Sequence, residues 1–112
     1  MDEPPFRIAQ TKYIDSHNRI DVNLVRMQGQ IIEFAVNYST LLEDWHPVYR
    51  IDNHHGFVHE QRLWIDKKPR PVSIELPNGD ARELIRAIVA HITIEHTRYR
   101  QWMMESLQRN SN

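Results

Sequence analysis

From Asp80 to Gln108 the chain runs without a proline or a glycine. At 1.5 Å per residue a helix over that stretch would be about 43 Å long, far longer than an ordinary globular helix. The cluster "PNGD" at 77–80 supplies its start signal, because Asn78 or Asp80 can accept hydrogen bonds from the first-turn amides and Glu83 lies near the positive end of the helix dipole. Leu84, Ile85, Ile88, Val89 and Ile92 recur at three- and four-residue spacing, so one stripe of the helix is apolar, and Tyr99, Trp102, Met103 and Leu107 extend it. Such a helix would overhang short strands. Its "YRQWMMESL" end is therefore expected to pack on a second copy or another partner, or else to bend back onto its own domain.

The residues before it read as strands. Between Gln30 and Tyr38 the apolar set Ile32, Phe34, Val36 and Tyr38 alternates with Ile31, Glu33, Ala35 and Asn37, the period of two expected of a half-buried strand. Ile20, Val22 and Leu24 alternate in "RIDVNLVRM", and Gly29 marks a turn or bulge between the two. After "STLLED", read as a loop, "WHPVYRID" places Trp45, Tyr49 and Ile51 on one face and His46, Val48, Arg50 and Asp52 on the other, with Pro47 at a strand start or edge. "NHHG" turns the chain, with Asn53 and Gly56 best able to take positive φ. "FVHEQRLWID" returns with Phe57, His59, Gln61, Leu63 and Ile65 opposed to Val58, Glu60, Arg62 and Trp64. "PVSIEL" is a further short strand. The expectation is one α+β domain, an antiparallel meander of four to five strands over about 19–76 packed against one helix over about 80–108. A length of 112 residues and 40% hydrophobic content suit a single core.

Composition narrows the chemistry. With no cysteine there are no disulfides, thiolate metal sites or cysteine nucleophiles. A formal net charge of −1 lacks the basic footprint of a nucleic-acid binder, and "DKKPRP" at 66–71 reads as a solvated turn. "MDEPPFRIAQ" does not resemble a signal peptide, and no apolar run nears the roughly 20 residues a membrane span needs, so a cytoplasmic protein without a membrane role is expected.

The densest chemistry is "YRIDNHHGFVHE" at 49–60, where three of the chain's seven histidines adjoin an Arg, an Asp and a Glu. Arg50 and Asp52 share a strand face, with Val58, Glu60 and Arg62 as candidate cross-strand neighbours and the register left open. Arg50, Asp52, His55, His59 and Glu60 contain the parts for metal-independent RNA cleavage: imidazoles to move protons at neutral pH and a guanidinium for the charged phosphorus centre. They equally suit a cross-strand ion pair with a capped turn. His46, His54, His55 and His59 are eligible metal ligands, but no ligand spacing such as HExxH appears, and no metal or cofactor is called for. On the helix, His91 and Glu95 lie on one face, and His96 reads as a hydrogen-bonded histidine near the apolar stripe.

Residues 30–107 resemble an uncharacterised family of small archaeal and bacterial proteins marked by an Arg-x-Asp-x-x-His-Gly-Phe-x-His hairpin before a C-terminal helix. The matching positions are Arg50, Asp52, His55, Gly56, Phe57 and His59. More distantly, the hairpin is similar to TumE-like toxins of toxin–antitoxin pairs, which carry Arg-Tyr-Asp-Asn followed by clustered histidines. Glu60 and Gln61 stand where that cluster continues. The resemblance implies a possible RNA substrate and an antitoxin partner. Two functions are thus carried forward, a toxin-like ribonuclease and a non-enzymatic module that dimerises through the helix, its Trp102, Met103 and Met104 forming the docking surface.

Overall fold

The computed structural model describes residues 4–74 and 81–110, with only the backbone of His55. It is an α+β fold, an open antiparallel meander in the order β1-β2-β3-β4-β5-β6 with one helix on one face. The strands are β1 (Phe6–Asp15), β2 (Asn18–Met27), β3 (Gln30–Leu41), β4 (Trp45–Asp52), β5 (His59–Arg62) and β6 (Arg70–Pro71), followed by α1 (Arg82–Asn110).

Six strands replace the expected four to five, chiefly because β1 precedes the expected start of the sheet. Nearly all of β1 is exposed, so it carries little of the apolar alternation that marks a strand. Local polar bonds hold its turn into β2 instead: the Asp15 carboxylate accepts from the His17 amide at 2.8 Å and from the Asn18 side chain at 2.9 Å. The β2–β3 turn uses Gln28 and Gly29 at φ 52° and 79°, the paired left-handed geometry that a tight hairpin requires.

Two bulges revise the expected side-chain phase. In β3 the pairing steps from Val25↔Glu33 to Arg26↔Ile31, leaving Ile32 as the extra residue. Ile31 therefore joins Phe34, Val36 and Tyr38 in the core at 4% exposure, while Ile32 turns outward at 40%. In β4 the pairing steps from Tyr38↔Tyr49 to Ser39↔Pro47, so Val48 and Tyr49 are both buried although adjacent. Ser39 to Leu41, expected in a loop, complete β3. Of "PVSIEL" only Pro71 is in a strand, and residues 75 and 76 lie outside the described residues, as do Asn78 and Asp80.

The helix runs alongside β3. Ala81 donates its amide to the Ile31 carbonyl, Tyr38 donates its hydroxyl to the His96 carbonyl, and Arg100 Nε donates to Thr40 Oγ1 at 2.8 Å. From Ile31 to Thr40 a strand rises about 30 Å, and from Ala81 to Arg100 a helix rises about 28 Å, so the two stay in step. Strands of 10 to 12 residues give the helix a matching bed. Its end stays on its own domain: Met103 and Ser106 are buried and Leu107 packs against the same core, which corrects the expected overhang. Ile85, Ile88 and Ile92 face the sheet as expected.

A polar knot closes one end of the core. Buried Asn18 accepts through Oδ1 from the Tyr38 hydroxyl at 2.6 Å and from Thr40 at 2.9 Å. Burial pushes the Tyr38 phenol up to about 12. Because the folded value exceeds the ordinary 10.0, ionisation opposes folding only above pH 10. Tyr38's contribution is therefore intact below pH 10 and falls by about 1.4 kcal/mol per pH unit toward pH 12. Denaturant titrations between pH 9 and 12 should show that slope, and Tyr38→Phe should remove Tyr38's share of it whatever its effect at neutral pH. The helix phase is tested by two isoleucines two positions apart. Ile92→Ala, at 0% exposure, should cost about 2–5 kcal/mol, and Ile94→Ala, at 78% exposure, less than about 0.5 kcal/mol.

Candidate functional site

The register of β4 and β5 decides which hairpin residues can work together. Asp52 pairs with His59, Ile51 with Glu60, Arg50 with Gln61 and Tyr49 with Arg62. Residues directly opposite in an antiparallel pair share a face. Arg50, Asp52, His59 and Gln61 therefore stand together on the face without the helix, and Glu60 stands on the other beside Tyr49 and Ile51. The cross-strand neighbours of Arg50 and Asp52 are His59 and Gln61, in place of the expected Val58, Glu60 and Arg62.

On the open face Arg50 is fixed from two sides. Its Nε donates to Asp52 Oδ2 at 3.0 Å and one terminal nitrogen donates to Asn37 Oδ1 at 3.1 Å. Asp52 is 6% exposed, and its other oxygen accepts the His54 amide at 3.0 Å, which starts the turn. His59 packs against Phe57 with ring centroids 4.1 Å apart. His54, exposed, borders a shallow depression of about 180 Å³ with Arg7, Asn23, Glu33 and Ala35. The His55 side chain lies outside the described residues.

The turn is a short 3-10 turn, His54–Gly56, rather than a simple β-turn. Gly56 has φ 86°, as expected, whereas Asn53 has φ −115° and a different task. Its backbone carbonyl accepts the Gly56 amide and so leaves the ladder, while its amide still donates to the Phe34 carbonyl. The side chain fills the gap: Oδ1 accepts the Phe34 amide at 2.8 Å and Nδ2 donates to the Ile32 carbonyl at 3.0 Å, at the β3 bulge. In the sequence Asp52 and Asn53 suit the caps of a turn. In the fold the Asn53 side chain acts across strands instead.

Glu60 belongs to the helix side. Tyr49 donates its hydroxyl to Glu60 Oε2 at 2.6 Å, and Arg70 donates to Oε1. Burial, then the hydrogen bond to Glu60, raises the Tyr49 phenol well above its usual range. Tyr49 also packs at a tilt against Tyr99, which meets Trp64 and Trp102 in one aromatic cluster. His91 bonds the Tyr99 hydroxyl through Nε2 at 3.0 Å and thus does not reach the hairpin's open face. In "DKKPRP" Asp66 and Arg70 are tied rather than simply solvated. Arg62 grips Asp66 through two nitrogens, with Arg70 beside it at 3.5 Å, and the Arg62 bonds hold the Asp66 carboxyl below its ordinary range. Among the described residues no three His, Asp or Glu side chains converge as a metal site. No helix there is long and apolar enough to cross a membrane.

Asn53→Ala should destabilise by about 2–4 kcal/mol, since it leaves the buried Phe34 amide and the Ile32 carbonyl without their partner. Urea denaturation measures this. His54→Ala, an exposed change that keeps the amide bonded to Asp52, should stay within about 0.5 kcal/mol.

No curated protein and no solved structure gives a significant match. One family model does, described as a domain of unknown function (DUF7718), and it matches residues 3–108. That span takes in every strand and nearly all of the helix, so the chain belongs to this uncharacterised family.

Proposed function

We propose that the open sheet face around Arg50 and His59 is an acid–base site that cleaves RNA without a metal. The observation that carries this reading is the Asp52↔His59 register, which sets an imidazole across the ladder from the carboxylate that clamps a guanidinium in place. Arg50 is partly exposed and held by Asp52 and Asn37, so it is ordered before any anion arrives. His59 takes the proton of a 2′-hydroxyl, the 2′-oxygen bonds to phosphorus, and the P–O5′ bond breaks. A turn histidine, His55 in the motif, protonates the leaving oxygen, and a 2′,3′-cyclic phosphate and a 5′-hydroxyl result. Arg50 stabilises the charge on the phosphoryl oxygens. Asp52 is a positioning residue, and Glu60 lies behind the sheet, outside the reaction.

The non-enzymatic alternative, a dimer through the helix end, would rest on Trp102 and Met104, because Met103 is inside its own core. The polar hairpin face has no part in it, which makes the nuclease reading the better use of the ordered groups.

A purified preparation should cut a single-stranded RNA into fragments ending in 2′,3′-cyclic phosphate in the presence of EDTA. His59→Ala should lower the rate about 10²- to 10⁴-fold, while Glu60→Gln should leave it within a few-fold. Expression of wild-type protein should slow growth and degrade cellular RNA. A folded wild-type protein that neither cuts RNA nor slows growth would overturn the proposal, as would equal losses from Glu60→Gln and His59→Ala.

A further inference from the structure

The two edges of the sheet are finished differently. β6 is two residues long, and Pro69 and Pro71 flank its arginine, so that edge is blunted against the addition of a further strand. β1, at the other edge, has ten residues with no proline or glycine among them, and all but Ile8 and Ile14 are exposed. Phe6 and Tyr13, near its two ends, are 57% and 60% exposed. Among the described residues nothing bonds the outer backbone edge of β1. A long unpaired edge of this kind is a template for another strand.

The two tight turns settle which of its backbone groups face outward. Along a strand these groups point alternately to one neighbour and to the other, and the pair that closes a two-residue turn exchanges hydrogen bonds. Met27↔Gln30 closes the turn at Gln28 and Gly29, so Met27 bonds to β3. Stepping back along β2, Arg26, Leu24, Val22, Ile20 and Asn18 then bond to β1. Asn18 closes the other two-residue turn against Asp15, as this phase requires. Phe6, Ile8, Gln10 and Lys12, the partners of that set, turn inward, and Arg7, Ala9, Thr11 and Tyr13 hold their amides and carbonyls outward.

This pattern fits a second copy of the same strand. An antiparallel partner must set outward residues against outward residues, so a two-fold axis passes through a residue and not between two. With the axis at Gln10, Arg7 meets Tyr13, Ile8 meets Lys12 and Ala9 meets Thr11, and all four outward residues find an outward residue opposite. Moving the axis to Ala9 sets Tyr13 against Pro5, which has no amide to donate. Moving it to Thr11 sets Arg7 against Asp15, beyond the irregularity between Tyr13 and Asp15. The Gln10 register opposes no like charges, and it places the Arg7 guanidinium across from the exposed Tyr13 ring, a favourable pairing. α1 packs on β3 and β4 and leaves the approach to β1 clear. We infer that two copies of the chain join edge to edge through β1, antiparallel about Gln10, to form one continuous sheet with both helices on the same side. This inference does not depend on the nuclease reading, whose residues lie on β4, β5 and the turn between them.

An interface made mainly by one strand is at the small end of the range, so the dimer is concentration-dependent. Light scattering of the full-length protein at sub-millimolar concentration should show it. Ala9→Pro removes one outward amide at a place where an edge strand tolerates proline, and it should give a monomer with unchanged circular dichroism. Gln10→Lys and Gln10→Glu, exposed changes that set like charges against each other on the axis, should each weaken the dimer several-fold, and the two mixed should form a heterodimer. The chain has no cysteine, so single cysteines report the register. The Gln10 pair would hold its Cα atoms about 4.5 Å apart, within disulfide reach, whereas Lys12 would lie about 13 Å from its own copy. Mild oxidation should therefore crosslink Gln10→Cys and not Lys12→Cys. A monomer at that concentration, a dimer indifferent to both Ala9→Pro and the Gln10 charges, or preferential crosslinking of Lys12→Cys would overturn the inference. So would a dimer that Met104→Asp dissolves and the β1 variants leave intact, which would assign the interface to the helix end.

Discussion

The side chain of one buried asparagine lets this sheet turn its most polar corner. At the end of β4 the chain must leave the ladder to enter the 3-10 turn, and the Asn53 carbonyl leaves with it to meet Gly56. Facing this point β3 is already bulged at Ile32, so two backbone groups inside the molecule would lose their partners. An unpaired buried amide or carbonyl costs more than an ordinary hydrogen bond contributes. The Asn53 carboxamide, donor and acceptor together, is the shape that satisfies both. Aspartate could accept but not donate, and a longer amide would not sit in the same rung. With that rung closed, Asp52 is free to hold Arg50 with one oxygen and the turn with the other.

Much of the Arg-x-Asp-Asn signature is thereby structural. Asp52 and Asn53 spend their polar atoms on the backbone and on Arg50, while Arg50, His59 and Gln61 share the face away from the helix. The ion pair that orders Arg50 is partly exposed and adds little stability of its own.

The elements that could be read from the sequence are those whose side chains obey one period. The helix and the central strands are continuous amphipathic patterns, and burial enforces their phase. What escaped reading has a physical cause in each case. β1 exposes almost every residue, so its pairing rests on backbone bonds that leave no trace in hydropathy. The bulges at Ile32 and Val48 shift a period of two by one residue, and neither carries the glycine that often marks such a site. Glu60 and His59 are neighbours in sequence and so point oppositely. Placing one with Arg50 and the other with Tyr49 needs the register, which is set by the length of the 3-10 turn. The helix end was ambiguous because strand length decides whether a long helix overhangs, and β1 to β3 proved long enough to carry it.

The two faces of the sheet differ in what they can spare. On the helix face Glu60 is engaged by Tyr49 and Arg70, and Tyr49 in turn packs at a tilt against Tyr99, so hairpin and helix are fastened together there. That fastening lies at β4 and β5, on one side of the helix only. On the other side nothing comparable links α1 to β1 among the described residues, and β1 is joined to the domain through β2 and the Asp15 to Asn18 turn, with His96 4.0 Å from Asp15. A ligand that needs a stationary guanidinium is best served by the anchored hairpin. The asymmetric placement of one helix on six strands thus anchors the hairpin at β4 and β5 and leaves the β1–β2 side of the helix face uncovered.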